Sequence, residues 1–147
     1  KNNAWEKLVY KKSDIVQGYL SSNSEGWIIR IRSEDNIFKL TLKKFINHAS
    51  NFEFEYTIPS KDGEIILSKI PQLIIKERFY ISFNKKNWII DRFQGLNSPL
   101  EIAEIEIENI NERIILPSFI STEITGLVNY SNFELSNKPF SAWDKES

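Results

Sequence analysis

The alternation of apolar and charged residues is the feature of this chain that most limits what it can fold into. In "WIIRIRSE", from Trp27 to Glu34, Arg30 and Arg32 stand at alternate positions with isoleucines between them. Successive side chains of a β-strand point to opposite faces, so a strand here has one cationic face and one apolar face. Further segments of the same kind predict a mainly antiparallel β protein with about seven or eight strands. They are "DIVQGYLSS", "FKLTLKK", "NFEFEYTI", "LIIKERFY", "NWIIDRF" and "LEIAEIEIEN".

Two segments break the alternation and predict short helices. In "SKDGEIILSKIPQ", Ser60 is a candidate N-cap, and Ile65, Ile66 and Ile70 would form the apolar stripe. A second short helix is predicted to start near Ser131, in "YSNFELSNKPF". The fold class is therefore mainly β with a minor α component. A closed barrel and a two-sheet sandwich both fit this pattern.

Composition excludes several classes of function. The 147 residues suit a single domain over 1–147, and a net charge of −1 gives no general attraction to nucleic acid or to an anionic membrane. The absence of cysteine excludes disulfides and thiolate chemistry, and the single histidine, His48, falls in a loop-like stretch where we expect it at the surface. No apolar run approaches the roughly 20 residues of a membrane helix. We expect a cytoplasmic protein with neither nucleic-acid nor membrane partners, as a monomer or a homodimer.

The charges are segregated by strand, and this allows two interpretations. Alternating strands usually expose their charged face to water, in which case there is no site. If the charged faces instead converge inside a wide barrel, the basic residues would hold phosphate and the acidic residues would hold a hard divalent metal such as Mg²⁺ or Mn²⁺. The basic candidates are Arg30, Arg32, Lys43, Lys76 and Arg78. The acidic candidates are Glu53, Glu55, Asp91, Glu104 and Glu106.

Nine short motifs, in this order and spacing, resemble the CYTH domain of the triphosphate tunnel metalloenzyme superfamily. The resemblance runs from about residue 14 to residue 139. No one of the motifs is specific alone, but nine in register favour this family over a barrel without a site. The motifs are "QGYLS", "RIR", "LTLK", "FEFEYTIP", "IIKERF", "WIIDRF", "AEIEIE", "EITG" and "YSNFEL".

The resemblance implies an eight-stranded antiparallel closed tunnel barrel with a charged lumen and a few short helices. It also implies metal-dependent hydrolysis of a triphosphate, with inorganic tripolyphosphate, cleaved to pyrophosphate and phosphate, as the favoured substrate and Mg²⁺ or Mn²⁺ as cofactor. Carried over by position, Lys76 would act at the attacked phosphorus or on the water, and Tyr19 would line the tunnel mouth. Phosphate would be bound by Arg30, Arg32, Lys43 and Arg78. Metals would be held by Glu104, Glu106 and Asp91, with Glu53 or Glu55.

One departure from the family pattern leaves alternatives open. The family's first strand carries the motif Glu-x-Glu-x-Lys, which does not occur in the expected place before "QGYLS". We expect that strand to be missing from residues 1–147, and without it two metal ligands and a lysine would be lost. A non-catalytic module that binds triphosphate or polyphosphate is therefore an alternative. A class IV adenylate cyclase is a second alternative, although the sequence gives no clear purine pocket.

Overall fold

One antiparallel sheet organises the chain in the computed structural model, which describes residues 3–22, 26–47, 50–109 and 111–143. His48 lies outside these ranges. The strands are β1 (Val9–Ser22), β2 (Trp27–Glu34), β3 (Ile37–Asn47), β4 (Ser50–Ile58), β5 (Ile74–Phe83), β6 (Lys86–Phe93) and β7 (Glu101–Ile105). The helices are α1 (Ser60–Ser68) and α2 (Asn132–Asn137), with 3₁₀ turns at Ala4–Leu8, Gly95–Asn97, Val128–Tyr130 and Phe140–Ala142. The prediction of a mainly antiparallel β fold with few helices is confirmed.

The sheet consists of two meanders joined along one seam. Its strand order is β4-β3-β2-β1-β5-β6-β7, and every pair is antiparallel. We call β1 to β4 the first meander and β5 to β7 the second. The seam is the ladder between β1 and β5, where Gln17 pairs with Ile74 and Ser13 pairs with Arg78. All other neighbouring strands are consecutive in the chain, so the seam is where residues far apart in sequence meet.

The predicted closure into an eight-stranded barrel is not observed. Among the described residues the sheet has seven strands curled into a half-barrel, and β4 and β7 each pair on one side only. The strand predicted over "LEIAEIEIEN" is also shorter than expected, because β7 ends at Ile105. The last pair of this ladder joins Trp88 to Ile105, so Asn87 and Lys86 of β6 have no partner in β7. Beyond Ile105 the chain leaves the sheet, and the amide of Glu112 donates to the carbonyl of Asn109.

Two tight hairpin turns fix the register of the meanders. Asp35 and Asn36, between β2 and β3, have φ angles of 52° and 69°. Asn84 and Lys85, between β5 and β6, have φ angles of 52° and 64°. Two successive positive φ angles are the signature of the hairpin turn that matches strand twist, and Asn and Asp tolerate them best. The two turns fall within "SEDN" and "FNKKN", which are polar stretches rich in turn residues.

The sheet curls around the face that carries the charged residues. Tyr80 on β5 donates a hydrogen bond to Glu34 on β2 at 2.5 Å, although β1 lies between these two strands. On a flat sheet, side chains two strands apart would stand about 10 Å from each other. Arg30 on β2 and Glu55 on β4 approach to 3.7 Å in the same way across β3. We call this concave side the inner face, and the opposite side the outer face.

Apolar clusters cover most of the outer face. Leu67 of α1 packs on Ile31 and Phe38, and a second cluster joins Trp5 and Phe119 to the outer side chains of β5 and β6. The helix differs from the prediction in two details. Ser60 is its first residue and not its cap, and Ile65 is exposed because Gly63 and Leu67 form the buried side.

Helix α2 covers one end of the inner face. Leu135 is fully buried against Ile74 and Phe93, and the Ser131 hydroxyl accepts a hydrogen bond from the amide of Glu134. The predicted start of this helix near Ser131 is confirmed. Among the described residues, no helix is both long enough and apolar enough to span a membrane.

Candidate active site

The register of the sheet brings the predicted cations of β2 and β5 onto the inner face. Arg32 pairs with Gln17 across β1 and β2, while Arg78 pairs with Ser13 across the seam. Lys76 stands two residues from Arg78 and therefore shares its face. Arg30 stands two residues from Arg32 and does the same. The interpretation that the charged faces converge, and are not all solvated, is the one that fits this geometry.

A buried ion-pair cluster occupies the centre of the inner face. The carboxylate of Asp91 receives two hydrogen bonds from Arg78, at 2.8 and 2.9 Å, and one from Nζ of Lys76 at 2.7 Å. The exposed fractions of Lys76, Arg78 and Asp91 are 1%, 9% and 3%. Asn132 of α2 accepts a further hydrogen bond from Nζ of Lys76 at 2.9 Å. Two of the three ammonium hydrogens are thus engaged, and the third has no acceptor among the described residues.

Burial and charge act in opposite directions on the pKa values of this cluster. Burial disfavours the charged ammonium and lowers the pKa of Lys76 to about 8, although Asp91 offsets part of this effect. Burial alone would raise the pKa of Asp91, but the hydrogen bonds from Arg78 and the charge of Lys76 outweigh it, so the pKa of Asp91 is lowered. Asp91 is therefore a carboxylate neutralised by two cations.

Arg32 is held differently from the other buried cations. Its Nε donates a 2.8 Å hydrogen bond to the neutral side-chain oxygen of Gln17. Within the described ranges, it forms no ion pair with a carboxylate. Burial, followed by the nearby charges of Arg30 and Arg78, lowers the pKa of Arg32 to about 10. A desolvated guanidinium without a carboxylate partner is the natural place for an anion to bind.

Arg30 lies beside Arg32 on the inner face and has only a loose carboxylate partner. Its Nη2 donates to the hydroxyl of Thr41 at 3.0 Å and lies 3.7 Å from Glu55, which also lies 3.7 Å from Lys39. The Nε of Arg30 is buried and has no acceptor in the part of the chain that the structure describes. A phosphate oxygen would satisfy this donor.

The remaining predicted phosphate and tunnel residues lie at the margin of this cluster. Tyr19 accepts a hydrogen bond from the side-chain amide of Gln17 at 2.9 Å, and its ring packs edge-on against Phe133 of α2. Tyr19 is partly buried, and it pairs with Arg30 in the β1–β2 ladder. Lys43 shares the inner face with Thr41 but is exposed near the open edge of the first meander.

The predicted metal ligands do not gather in the described residues. Glu53 and Glu55 are exposed on edge strand β4, Glu104 is exposed on edge strand β7, and Glu106 follows the end of β7. Asp91 is committed to Lys76 and Arg78. In residues 3–22, 26–47, 50–109 and 111–143, no three Asp, Glu or His side chains come close enough to hold a metal ion. These residues alone therefore do not fit a metal centre.

Sequence reasoning missed two side chains that complete the cluster. Gln17 lies within the motif "QGYLS", and the alternation of β1 places it on the same face as Tyr19, so a signal for its position was present. Asn132 had no such signal, because its contact with Lys76 depends on how α2 docks from the far end of the chain. Lys39 and Thr41 share the inner face with Lys43 but were not included in the predicted site.

Comparison with known proteins decides the family. No protein-family model matches the chain. An inorganic triphosphatase of Acetivibrio thermocellus is 32% identical over 126 residues, which cover 84% of this chain and 80% of that protein. This chain belongs to the inorganic triphosphatase family. The predicted resemblance to the triphosphate tunnel superfamily is thereby confirmed.

Solved structures support the fold of this inorganic triphosphatase family member. A crystal structure of an inorganic triphosphatase aligns with a TM-score of 0.67 at 23% identity, covering 88% of this chain and 92% of that chain. An adenylyl cyclase-like protein from Hippeastrum, described as having a dominant triphosphatase activity, aligns with a TM-score of 0.56 at 12% identity. That alignment covers 72% of this chain and 71% of that chain. At these identities the likeness concerns the fold alone.

Proposed function

We propose that this chain hydrolyses inorganic tripolyphosphate to pyrophosphate and phosphate on its inner face. The observation that carries the proposal is Arg32, a partly buried cation whose hydrogen-bond partner, Gln17, is neutral. Its neighbour Arg30 is cationic as well and has only a loose carboxylate partner, so this part of the inner face has a local excess of positive charge that a polyphosphate would offset. Membership in a family with an inorganic triphosphatase from Acetivibrio thermocellus supports the choice of substrate.

The proposed reaction is a displacement at a terminal phosphorus. A water oxygen forms a bond to that phosphorus, the bond from the phosphorus to the bridging oxygen breaks, and pyrophosphate leaves with the electron pair of that bond. One proton of the water stays on the orthophosphate product, and the other is released to the solvent. Arg30 and Arg32 bind the phosphate oxygens, because guanidinium groups make two-pronged contacts with them. Such donors also stabilise charge that develops on the leaving group. Lys43 binds the outermost phosphate at the open edge.

Lys76 is proposed to act on the attacked phosphate, with Arg78 and Asp91 holding it in place. The ammonium group is fully covered, and Asn132 occupies one of its hydrogens. Tyr19 is proposed to line the entrance to this region, and its packing against Phe133 of α2 supports that role.

Dependence on Mg²⁺ or Mn²⁺ is part of the proposal, but the described residues supply no complete ligand set for it. The predicted ligands Glu53, Glu55, Asp91, Glu104 and Glu106 stay predictions. The single domain over 1–147 and the missing Glu-x-Glu-x-Lys strand also stay predictions. Comparing this chain with one extended by its natural upstream residues, each with Mg²⁺, Mn²⁺ or EDTA, tests them together.

Phosphate release from tripolyphosphate is the deciding measurement for the function. ATP is assayed beside it, because pyrophosphate and a cyclic nucleotide from ATP would indicate a cyclase. Release from tripolyphosphate that EDTA abolishes supports the proposal. No release with either metal, from either chain, would overturn it.

Arg32→Lys tests the role of the guanidinium itself. Lysine keeps the charge but lacks the planar guanidinium that can donate to two oxygens at once. We therefore expect KM for tripolyphosphate to rise roughly ten-fold or more. Arg113→Lys is the matched control, because Arg113 is exposed and lies outside the sheet. If both variants behave like the wild type, Arg32 does not bind substrate.

A non-catalytic triphosphate-binding module is the second candidate. The observation that favours it is the absence of a gathered carboxylate set among the described residues. Calorimetric binding of tripolyphosphate without any release of phosphate would select this candidate over the hydrolase.

A further inference from the structure

Gln17 is a fully buried polar side chain on β1, the middle strand of the sheet. Its exposed fraction is 0%. Its side-chain nitrogen donates to the hydroxyl of Tyr19 at 2.9 Å, and its side-chain oxygen accepts from Nε of Arg32 at 2.8 Å. Both ends of the amide are thus engaged by residues of the candidate site. Their distances are those of well-formed hydrogen bonds.

The contact with Gln17 occupies the inner nitrogen of Arg32. Arginine carries five N–H donors, and Nε supplies one of them. The four donors on the two terminal nitrogens make no side-chain hydrogen bond among the described residues. Gln17 therefore holds the guanidinium through Nε and leaves the two terminal nitrogens available to a ligand.

A neutral acceptor has a consequence that a carboxylate would not have. Arg78 is held by two bonds to Asp91, so most of its charge is already neutralised. Arg32 is held by one hydrogen bond to Gln17 and keeps its full charge, because an amide oxygen carries only a partial charge. An anion that binds Arg32 does not have to compete with a resident carboxylate.

We propose that Gln17 is a positioning residue that orients Arg32 and Tyr19 for phosphate binding while leaving the charge of Arg32 uncompensated. This inference rests on the proposed function, since it assigns the orientation of that same site. It predicts that phosphate binding requires a neutral amide at Gln17, and that a carboxylate of the same shape would weaken that binding.

Gln17→Glu is the decisive variant, because it keeps the shape and the acceptor but adds a negative charge. We expect the new carboxylate to pair with Arg32 and to reduce tripolyphosphate affinity roughly ten-fold or more. The new pair would also relieve repulsion among Arg30, Arg32 and Arg78, so we expect the melting temperature to be retained or raised. Higher stability with weaker binding is a combination that a merely structural role would not produce.

Gln17→Met is the companion variant, because it removes the hydrogen bonds without adding charge. We expect an intermediate loss of affinity, since Arg32 loses its orientation but keeps its charge. Gln72→Glu is the matched control, because Gln72 is exposed and lies outside the site. It should bind like the wild type. If Gln17→Glu does not fold, Gln17→Met still decides: unchanged binding in that variant overturns the inference.

The experiment measures binding and turnover separately. Calorimetry with tripolyphosphate in EDTA gives the dissociation constant without hydrolysis, and steady-state assays with Mn²⁺ give KM and kcat. A rise of KM that exceeds the fall of kcat supports a positioning role in substrate binding. If Gln17→Glu binds tripolyphosphate with wild-type affinity, the inference is overturned. Turnover by the wild-type protein would in that case still support the proposed function. A wild type that neither binds nor hydrolyses tripolyphosphate overturns both.

Discussion

At the scale of single residues, burial gives Lys76 a different chemistry from a surface lysine. It lies beneath α2, and its ammonium group faces Asp91, Asn132 and the ring of Phe93. Burial lowers its pKa to about 8, whereas the ordinary value is 10.5. Lys76 is therefore mostly protonated below pH 8 and mostly neutral above it.

The first residue-scale prediction concerns the pH dependence of turnover. If the ammonium form of Lys76 acts on the phosphate, kcat/KM should fall as the pH rises through about 8, because the charge is lost there. A pH–rate profile from pH 6 to 10 measures this fall.

Lys76→Arg supplies the comparison for that profile. Arginine stays protonated throughout this range, so any activity that the variant retains should not decline near pH 8. The same decline in both proteins would assign it to another group, such as a metal-bound water.

Sequence periodicity reports the face of the strand on which a side chain lies, and in that respect it placed several residues correctly. Arg30, Arg32, Lys76 and Arg78 were predicted to share a face, and they do. Periodicity carries no information about which charges neutralise each other. Asp91 was predicted as a metal ligand, and that prediction stands untested, yet in the structure it pairs with two cations.

At the scale of elements, α1 packs against the sheet with almost no space between the two. A Cβ built on Gly63 would lie 2.2 Å from a ring carbon of Phe38 and 2.8 Å from the Cβ of Phe38. Glycine is thus required here by the distance between helix and strand. Helix propensity alone would favour alanine at this position by about 1 kcal/mol.

We predict that Gly63→Ala destabilises the protein despite that propensity. Overpacking of this kind costs about 1–3 kcal/mol, which exceeds the gain from propensity. Urea unfolding followed by fluorescence measures the free energy of unfolding. Asp62→Ala is the control, because Asp62 is exposed in the same turn of α1. A stabilised Gly63→Ala variant would show that α1 can shift away from Phe38.

Element boundaries were predictable only where local chemistry fixes them. The hairpin turns at Asp35 and Asn84 and the start of α2 after Ser131 have local signatures, and the helix start was located correctly. β7 ends at Ile105 although its partner β6 still offers Asn87 and Lys86, so the end of β7 has no local signature. The sequence of "LEIAEIEIEN" continues to alternate past Ile105, although the ladder does not.

At the scale of the whole molecule, the candidate site lies across the junction of the two meanders. Arg30 and Arg32 belong to the first meander, whereas Lys76, Arg78 and Asp91 belong to the second. A ligand that contacts both sets links the two halves of the sheet. It should therefore stabilise the folded protein as a unit.

We predict that tripolyphosphate raises the melting temperature. A ligand at 100 times its dissociation constant adds about 2.7 kcal/mol to the free energy of unfolding, provided it binds the folded state alone. Differential scanning fluorimetry in EDTA measures the shift, with orthophosphate and chloride at equal ionic strength as controls. Equal shifts for all three anions would indicate general charge screening and no site across the meanders.

The long-range pairing of β1 with β5 also bears on the order in which the chain folds. Each other ladder closes a short hairpin, whereas this one brings together segments separated by three strands and a helix. Loop closure makes such a pairing slow, and we expect it to form after the hairpins, so that the site across the two meanders is complete only in the native state. Interactions that form late change the rate of unfolding far more than the rate of folding. A bound polyphosphate should therefore act as a kinetic clamp that lengthens the lifetime of the native state without hastening its formation.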